Sequence, residues 1–289
     1  MILVTGATGH LGKATIEFLL KKGVPAGNIA ALVRDENKAA DLKAKGIEIR
    51  IGDYDNYDSL VKAFTGVDKL LLVSGNDIVN RGTQQANAVK AAKEAGVKHI
   101  LYTSFDRKNE TDSSPIYFVA KSHIDTENIV KESGIPYTIF RNTLYMDFIP
   151  MFIGDKVLET GVYWPSGDGQ LAAVLREEMA EAIANVLATE GHENKEYVIG
   201  NTEAVSFGQV ASLISKASGK EVAYTSPSQD EYKATLTSAG VPAEYIGMFA
   251  GFAEAIKQGE FDTTTTELEK LLGRKPTTAA NYLQSVYGK

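Results

Sequence analysis

Tyr117 and Lys121 stand four residues apart, the spacing that brings two side chains onto one face of a helix. Ser104 lies thirteen residues before Tyr117. A phenol, an ammonium and a hydroxyl together suit proton transfer to an oxygen. In that reading Tyr117 donates the proton, Lys121 eases its release, and Ser104 orients the oxygen that receives it. The competing reading is a packing tyrosine, because Tyr117 sits between Ile116 and Phe118.

Such groups act only if elements hold them, and the chain opens with an organising one. Ile2, Leu3 and Val4 read as a short buried strand, followed at once by Thr5-Gly6-Ala7-Thr8-Gly9-His10-Leu11-Gly12 and then an apolar helical pattern. A glycine turn between strand and helix is a phosphate cradle. Gly6 permits the tight turn, Gly9 lets the backbone approach a pyrophosphate, and Gly12 lets the helix pack closely. Thr8, His10 and Leu11 line the same turn and are candidate contacts with it.

Further apolar runs follow at 29–33, 47–51, 69–73, 99–103 and 136–140, with helical patterns between them. Asp58 is expected to cap a helix over 59–64, and Asn37–Lys45 to form one short polar helix. Strands alternating with helices imply a parallel, doubly wound sheet. The expected fold class is α/β: a Rossmann-like doubly wound parallel sheet with a smaller C-terminal α/β lobe. Residues 1–150 form the nucleotide-binding domain and 151–289 a smaller substrate-binding lobe, some segments of which can return to the sheet. The lobe is expected to cover the strand ends and form a cleft. Its patterns predict helices over 177–188, 207–217, 229–239, 243–258, 267–272 and 281–287, and strands over 196–199 and 221–225. Thr263–Thr266 is expected to cap the helix that follows.

Ligands on such a sheet sit at the carboxyl ends of the strands. Arg34 ends the second strand, where an acidic residue would bind the ribose 2′-hydroxyl of NAD. A cation suits the 2′-phosphate of NADP instead, with Lys38 adding charge, so NADP(H) is favoured over NAD(H). Asp35 complicates this, because it can turn toward a ribose. Asp53 is a candidate acceptor for the adenine amino group, with Tyr54 packing nearby, or else it shapes a turn. Ser74, Gly75 and Asn76 end the fourth strand and suit the nicotinamide-side ribose or phosphate. Thr103 and Ser104 end the fifth strand. Lys121 is then also a candidate for the nicotinamide ribose.

Composition narrows the classes. The net charge is −7, against a nucleic-acid or anionic-membrane binder, which needs a basic face. There is no cysteine, which removes disulfides and thiolate chemistry. The four histidines (His10, His99, His123, His192) have no metal-ligand spacing, so no metal is expected. The first strand begins at once and no apolar run reaches membrane-span length. These features together give the expectation of a cytoplasmic protein.

At this point the chain resembles a known group. TGATGHLG, VRDENK, GDYDN, YTS, IFRNTLYMD, SGDGQLAAVLREEMAEAIANVL and SFGQVASLISKASGKEVAY are similar to the NmrA-like, atypical short-chain dehydrogenase/reductases. Within them the likeness is to type-2 NAD(P)H:quinone oxidoreductases and triphenylmethane reductases. The resemblance implies NADPH as donor and a quinone, azo dye or triphenylmethane dye as acceptor. It adds Asn142, Thr143 and Tyr145, on the segment bordering the nicotinamide, as substrate contacts. In this group the Tyr-x-x-x-Lys pair is often incomplete; here both residues are present. The alternatives are a dinucleotide-binding redox sensor without turnover and an epimerase-like or isoflavone-reductase-like enzyme. Monomer and homodimer are both compatible with the sequence.

Overall fold

The computed structural model describes residues 1–288. Its first compact unit comprises Met1–Phe105, Val119–Asn142 and Arg176–Ile199; the second comprises Asp106–Phe118, Thr143–Leu175 and the chain from Gly200 onward. The chain therefore does not divide by one cut at residue 150. It leaves the first unit after Phe105, Asn142 and Ile199 and returns twice, at Val119 and Arg176.

The first unit is laid down as β1 (Ile2–Val4), α1 (His10–Lys21), β2 (Ile29–Val33), α2 (Ala40–Ala44), β3 (Glu48–Ile51), α3 (Tyr57–Phe64), β4 (Lys69–Leu72), α4 (Arg81–Glu94), β5 (His99–Phe105), α5 (Tyr117–Glu132) and β6 (Tyr137–Asn142). The chain then passes through α6 (Ile149–Ile153), α7 (Val157–Thr160), β7 (Val162–Tyr163) and β8 (Gln170–Leu171), and returns as α8 (Arg176–Leu187) and β9 (Lys195–Ile199). Seven strands form one parallel sheet in the order β3-β2-β1-β4-β5-β6-β9. Val4 of β1 is paired with Ala31 on one side and Leu71 on the other. The winding direction reverses here, so the carboxyl end of β1 is the switch point where such sheets take ligands.

β2 is buried at every residue, as a strand covered on both faces must be. On one face Leu3, Leu32, Leu70 and Ile100 pack with Phe64, Ala88 and Ala91. On the other α1 lies along α8, which is why the late segment 176–199 belongs to the sheet.

Local chemistry moves several expected boundaries. The helix expected over 37–45 is a 3₁₀ turn, Glu36–Ala39, followed by α2. The cap of α3 is Asn56, not Asp58: its side chain accepts from the Ser59 amide at 3.0 Å, and Asp58 sits in the first turn. The strand expected over 221–225 shrinks to Tyr224–Thr225.

In the second unit β8 pairs antiparallel with β10 (Val205–Ser206), and β7 pairs with β11 (Tyr224–Thr225). Around them lie α9 (Phe207–Ser218), α10 (Gln229–Ser238), α11 (Ala243–Lys257), α12 (Glu267–Leu272) and α13 (Ala279–Tyr287). Ser206 and Ser228 start α9 and α10 with reciprocal capping boxes, each satisfying two otherwise orphaned amides. Thr265, rather than Thr266, supplies the side-chain bond at the start of α12, accepting from the Glu267 amide at 3.1 Å. The core is aromatic: Trp164 is fully buried, stacked on Phe152 at 4.8 Å and on Phe207 at 5.3 Å.

Candidate active site

The glycine turn is built as tightly as its spacing suggests. Gly6 has φ +57°, a conformation that disfavours any Cβ. A Cβ on Gly12 would lie 2.4 Å from the Gly6 carbonyl oxygen, so α1 rests directly on the backbone of the turn. Gly9 is different. It is the N-cap of α1 with no side-chain cap, and a Cβ there would stand 3.2 Å from the Gly6 oxygen, a tight contact though not the overlap met at Gly12. Its small size keeps the helix terminus open, where amides and the partial positive charge of the helix face outward. Thr8, Gly9 and His10 are exposed, whereas the Leu11 side chain turns into the core. Leu11 therefore has only its amide to offer a phosphate. Lys13, one turn on, is held by Asp41 at 2.5 Å.

At the end of β2 the charges sort themselves. Asp35 accepts from the Asn37 amide at 3.0 Å and so caps the 3₁₀ turn. Glu36 pairs with Lys43 at 2.6 Å. The Arg34 and Lys38 side chains are exposed and, among the described residues, make no ion pair or hydrogen bond; the Lys38 amide donates to the Asp35 carbonyl at 3.2 Å within the turn. Two free cations thus stand at the strand end beside the glycine turn, with their acidic neighbours engaged elsewhere.

The ends of β3 and β4 are fixed from within. The Tyr54 hydroxyl donates to Thr5 Oγ1 at 2.6 Å and approaches the Val73 carbonyl at 3.1 Å, and burial holds its pKa well above the usual phenol value. Thr5 Oγ1 also accepts from the Val73 amide at 2.8 Å. Tyr54 therefore braces three strand ends with its hydroxyl, and only its ring is left to pack on a ligand. Asp53 Oδ1 accepts from the Asp55 amide at 3.0 Å, shaping the turn and leaving Oδ2 as an acceptor. Thr103 Oγ1 accepts from the Ser74 amide at 2.9 Å, so Thr103 sets the exit of β4. A Cβ on Gly75 would meet only Gln84, at 3.7 Å; the protein itself does not demand glycine there. Asn76 is exposed beside it.

Around β5 the polar groups are closed on one another. Ser104 is buried and donates its hydroxyl to Glu127 Oε1 at 2.5 Å. Glu127, only 2% exposed, is gripped by Arg141 at 2.7 Å through Oε2, and Arg141 also reaches Glu196 at 3.2 Å. The expected grouping of Ser104 with Tyr117 and Lys121 is not assembled through that hydroxyl. Its proton lies on a carboxylate ten residues beyond Tyr117 in α5, about 15 Å along the helix axis at 1.5 Å per residue. Lys121 is paired with Asp125 at 2.6 Å on the exposed face. Tyr117 is half-buried and is the first residue of α5, its amide bonded to the Ser114 carbonyl at 3.1 Å.

At the end of β6 the pattern opens again. Asn142 is buried, and its Oδ1 has no partner. Thr143, the next residue, is buried with Oγ1 likewise unpaired. Buried polar atoms are rarely left so without a ligand or water. Tyr145, half-buried, stacks edge-on against Phe148 at 5.2 Å.

These features fit a dinucleotide phosphate: an open helix terminus, a turn that excludes side chains, and unpaired cations at the neighbouring strand end. The model of the NmrA-like family matches residues 1–283. The chain belongs to that family. It is 40% identical over 289 residues to quinone oxidoreductase 2 of Escherichia coli (strain K12), covering 99% of both chains. It is 30% identical to the NAD(P)H azoreductase of Xenophilus azovorans over 243 residues, 84% of this chain and 82% of that one. The crystal structure of Citrobacter sp. triphenylmethane reductase complexed with NADP(H) superposes with TM-score 0.91 at 41% identity, covering 99% of this chain and all of that one. The expected resemblance and fold class therefore hold for this NmrA-like chain.

Sequence reasoning missed Thr5, Glu127 and Arg81. Arg81 is buried, donating to the Val119 carbonyl at 2.8 Å and to Ser122 at 2.9 Å. Burial lowers its pKa from the usual guanidinium value. A charged residue at a helix start reads as solvated, and only the tertiary fold shows it covered. Among the described residues no cluster of His, Asp and Glu could hold a metal, and no helix is long and apolar enough to cross a membrane.

Proposed function

We propose that this NmrA-like chain is an NADPH-dependent oxidoreductase acting on a quinone or a similarly conjugated aromatic acceptor, azo and triphenylmethane dyes included. The observation that carries the cofactor choice is the pair of free cations, Arg34 and Lys38, at the end of β2. NADPH supplies the hydride when bound. The amides of Gly9 to Gly12 hold its pyrophosphate, Arg34 and Lys38 its 2′-phosphate, and Asp53 Oδ2 its adenine amino group. Ser74, Gly75 and Asn76 border the nicotinamide-side ribose, with Lys121 as a further ribose contact. Asn142, Thr143 and Tyr145 face nicotinamide and acceptor. Support for the acceptor class comes from the quinone oxidoreductase and the azoreductase to which the chain is similar. The protein works in the cytoplasm, as a monomer or a homodimer.

The chemistry asks little of a proton donor. A quinone is already electrophilic and the reduced oxyanion is delocalised, so positioning dominates the barrier. Tyr117 provides the proton where the acceptor is an ordinary carbonyl; for quinones water suffices. NADPH oxidation with a panel of quinones, azo dyes and triphenylmethane dyes tests the reading. Turnover is expected with quinones. NADPH binding with no turnover of any acceptor would replace the reductase by a dinucleotide sensor. For Tyr117→Phe, quinone reduction is expected to persist within about threefold while carbonyl reduction falls at least about a hundredfold, the lower range for a general acid. Loss of all activity in a folded variant would make Tyr117 the obligatory acid.

A further inference from the structure

Glu260 is a carboxylate only 3% exposed in the second unit. Its Oε1 accepts the Ser114 hydroxyl at 2.8 Å, while Oε2 is buried without a partner. Among the described residues no cation pairs with it. Such a group is unfavourable unless it performs a task. Its backbone is anchored at the end of α11, where the Glu260 amide donates to the Ala255 carbonyl at 3.0 Å.

Ser114 shows what the task is. It is itself buried, its Oγ accepts from the Ile116 amide at 3.3 Å, and its carbonyl accepts from the Tyr117 amide at 3.1 Å. A carboxylate can only accept, so it fixes the direction of the Ser114 proton and turns the Ser114 lone pairs toward Ile116. Two neighbouring features hold the same segment. Lys108 is paired with Asp262. A Cβ on Gly251 of α11 would lie 2.9 Å from the Pro115 carbonyl oxygen, so the helix backbone presses on the residues just before Tyr117.

We propose that Glu260 is the positioning residue for Tyr117. Through Ser114 it sets the first turn of α5 and thereby the place of the phenol. The proposal rests on the reading of Tyr117 as the proton donor for carbonyl acceptors. It explains why an acid, and not a better-packing leucine, stands at 260: a leucine fills the space but leaves the Ser114 hydroxyl unaimed.

The experiment measures amide hydrogen exchange at Ile116 and Tyr117, together with kinetics, in Glu260→Leu, Glu260→Gln and Ser114→Ala. Glutamine keeps the acceptor for Ser114 and exchanges one bare oxygen for one bare amide. It is expected to stay within about twofold of the parent in exchange and rate, whereas leucine speeds Tyr117 exchange about tenfold, the equivalent of one hydrogen bond. Carbonyl reduction should fall by a similar factor in kcat, with KM for NADPH unchanged. Ser114→Ala should reproduce the leucine variant and replaces it if that variant does not fold. Unchanged exchange in both variants overturns the proposal, as does glutamine behaving like leucine. If Tyr117→Phe leaves carbonyl reduction intact while Glu260→Leu still frees the Tyr117 amide, the positioning stands and the proton-donor reading falls.

Discussion

The ends of β2 and β5 treat charge in opposite ways. At β2 the acids are absorbed by a turn and by Lys43, and Arg34 and Lys38 are left exposed and unpaired. At β5 the groups are engaged: Ser104, Glu127, Arg141 and Glu196 satisfy one another in a chain that runs from buried Ser104 and Glu127 out to part-exposed Arg141 and exposed Glu196. Free cations in water lose little by waiting for a phosphate. A network closed on a buried carboxylate gains little from a ligand and loses heavily when that carboxylate is left unpaired. The first arrangement is suited to recognition and the second to holding a sheet edge in register. This contrast shifts Ser104 from the chemistry toward the architecture.

The largest expected effect lies in the glycine turn, at the end of the strand next to β2. Gly12→Val places a side chain where the Gly6 carbonyl already sits, 2.4 Å from the Cβ position. Overpacking of this kind costs about 1–3 kcal/mol of stability. NADPH affinity should fall by at least about a hundredfold, or ~2.8 kcal/mol, because the turn can no longer present its amides. Titration at a temperature where the variant is folded checks this. Binding within a few fold of the parent would show that the turn is not the phosphate anchor.

Arg34→Ala addresses the β2 end alone. The loss of one charge-assisted contact of about 1.5–3 kcal/mol should weaken NADPH binding roughly tenfold to a hundredfold. NADH affinity should not change, since NADH has no 2′-phosphate. The same contact, being exposed, should fade as ionic strength rises, so the preference for NADPH over NADH should shrink in salt. If the variant binds both cofactors as the parent does, the free cation is ordinary surface charge.

How much of this was legible beforehand divides along the same line. The glycine spacing, the burial of β2 and the cation at 34 are local facts, and local facts survive into the fold. So is the long apolar periodicity of α11, whose bounds match the expected helix to within a residue. The engagement of Ser104 was not legible, because Glu127 lies 23 residues away and meets it only when α5 packs on the sheet. That some late segment can return to the sheet was legible; that it is 176–199, beside β6, was not, because a strand pattern does not say which edge it joins. Caps failed by a residue or two where several polar side chains compete: Asn56 won over Asp58 because only an N-cap position faces the free amides.

The smallest effect is the most direct test of the contrast. Ser104→Ala removes one hydrogen bond to a charged group and leaves Glu127 its bonds to Arg141. Stability should fall by about 1.5–3 kcal/mol, the range of a charge-assisted hydrogen bond. Quinone reduction should stay within about threefold, since the hydroxyl proton points at Glu127 and positioning dominates the chemistry. Thermal denaturation and steady-state rates, measured on the same preparation, separate the two. A variant that melts like the parent but reduces quinone a hundredfold more slowly would put Ser104 back among the catalytic groups. It would also mean that the Glu127 bond is exchanged for a substrate bond during turnover, so that the β5 end is open after all.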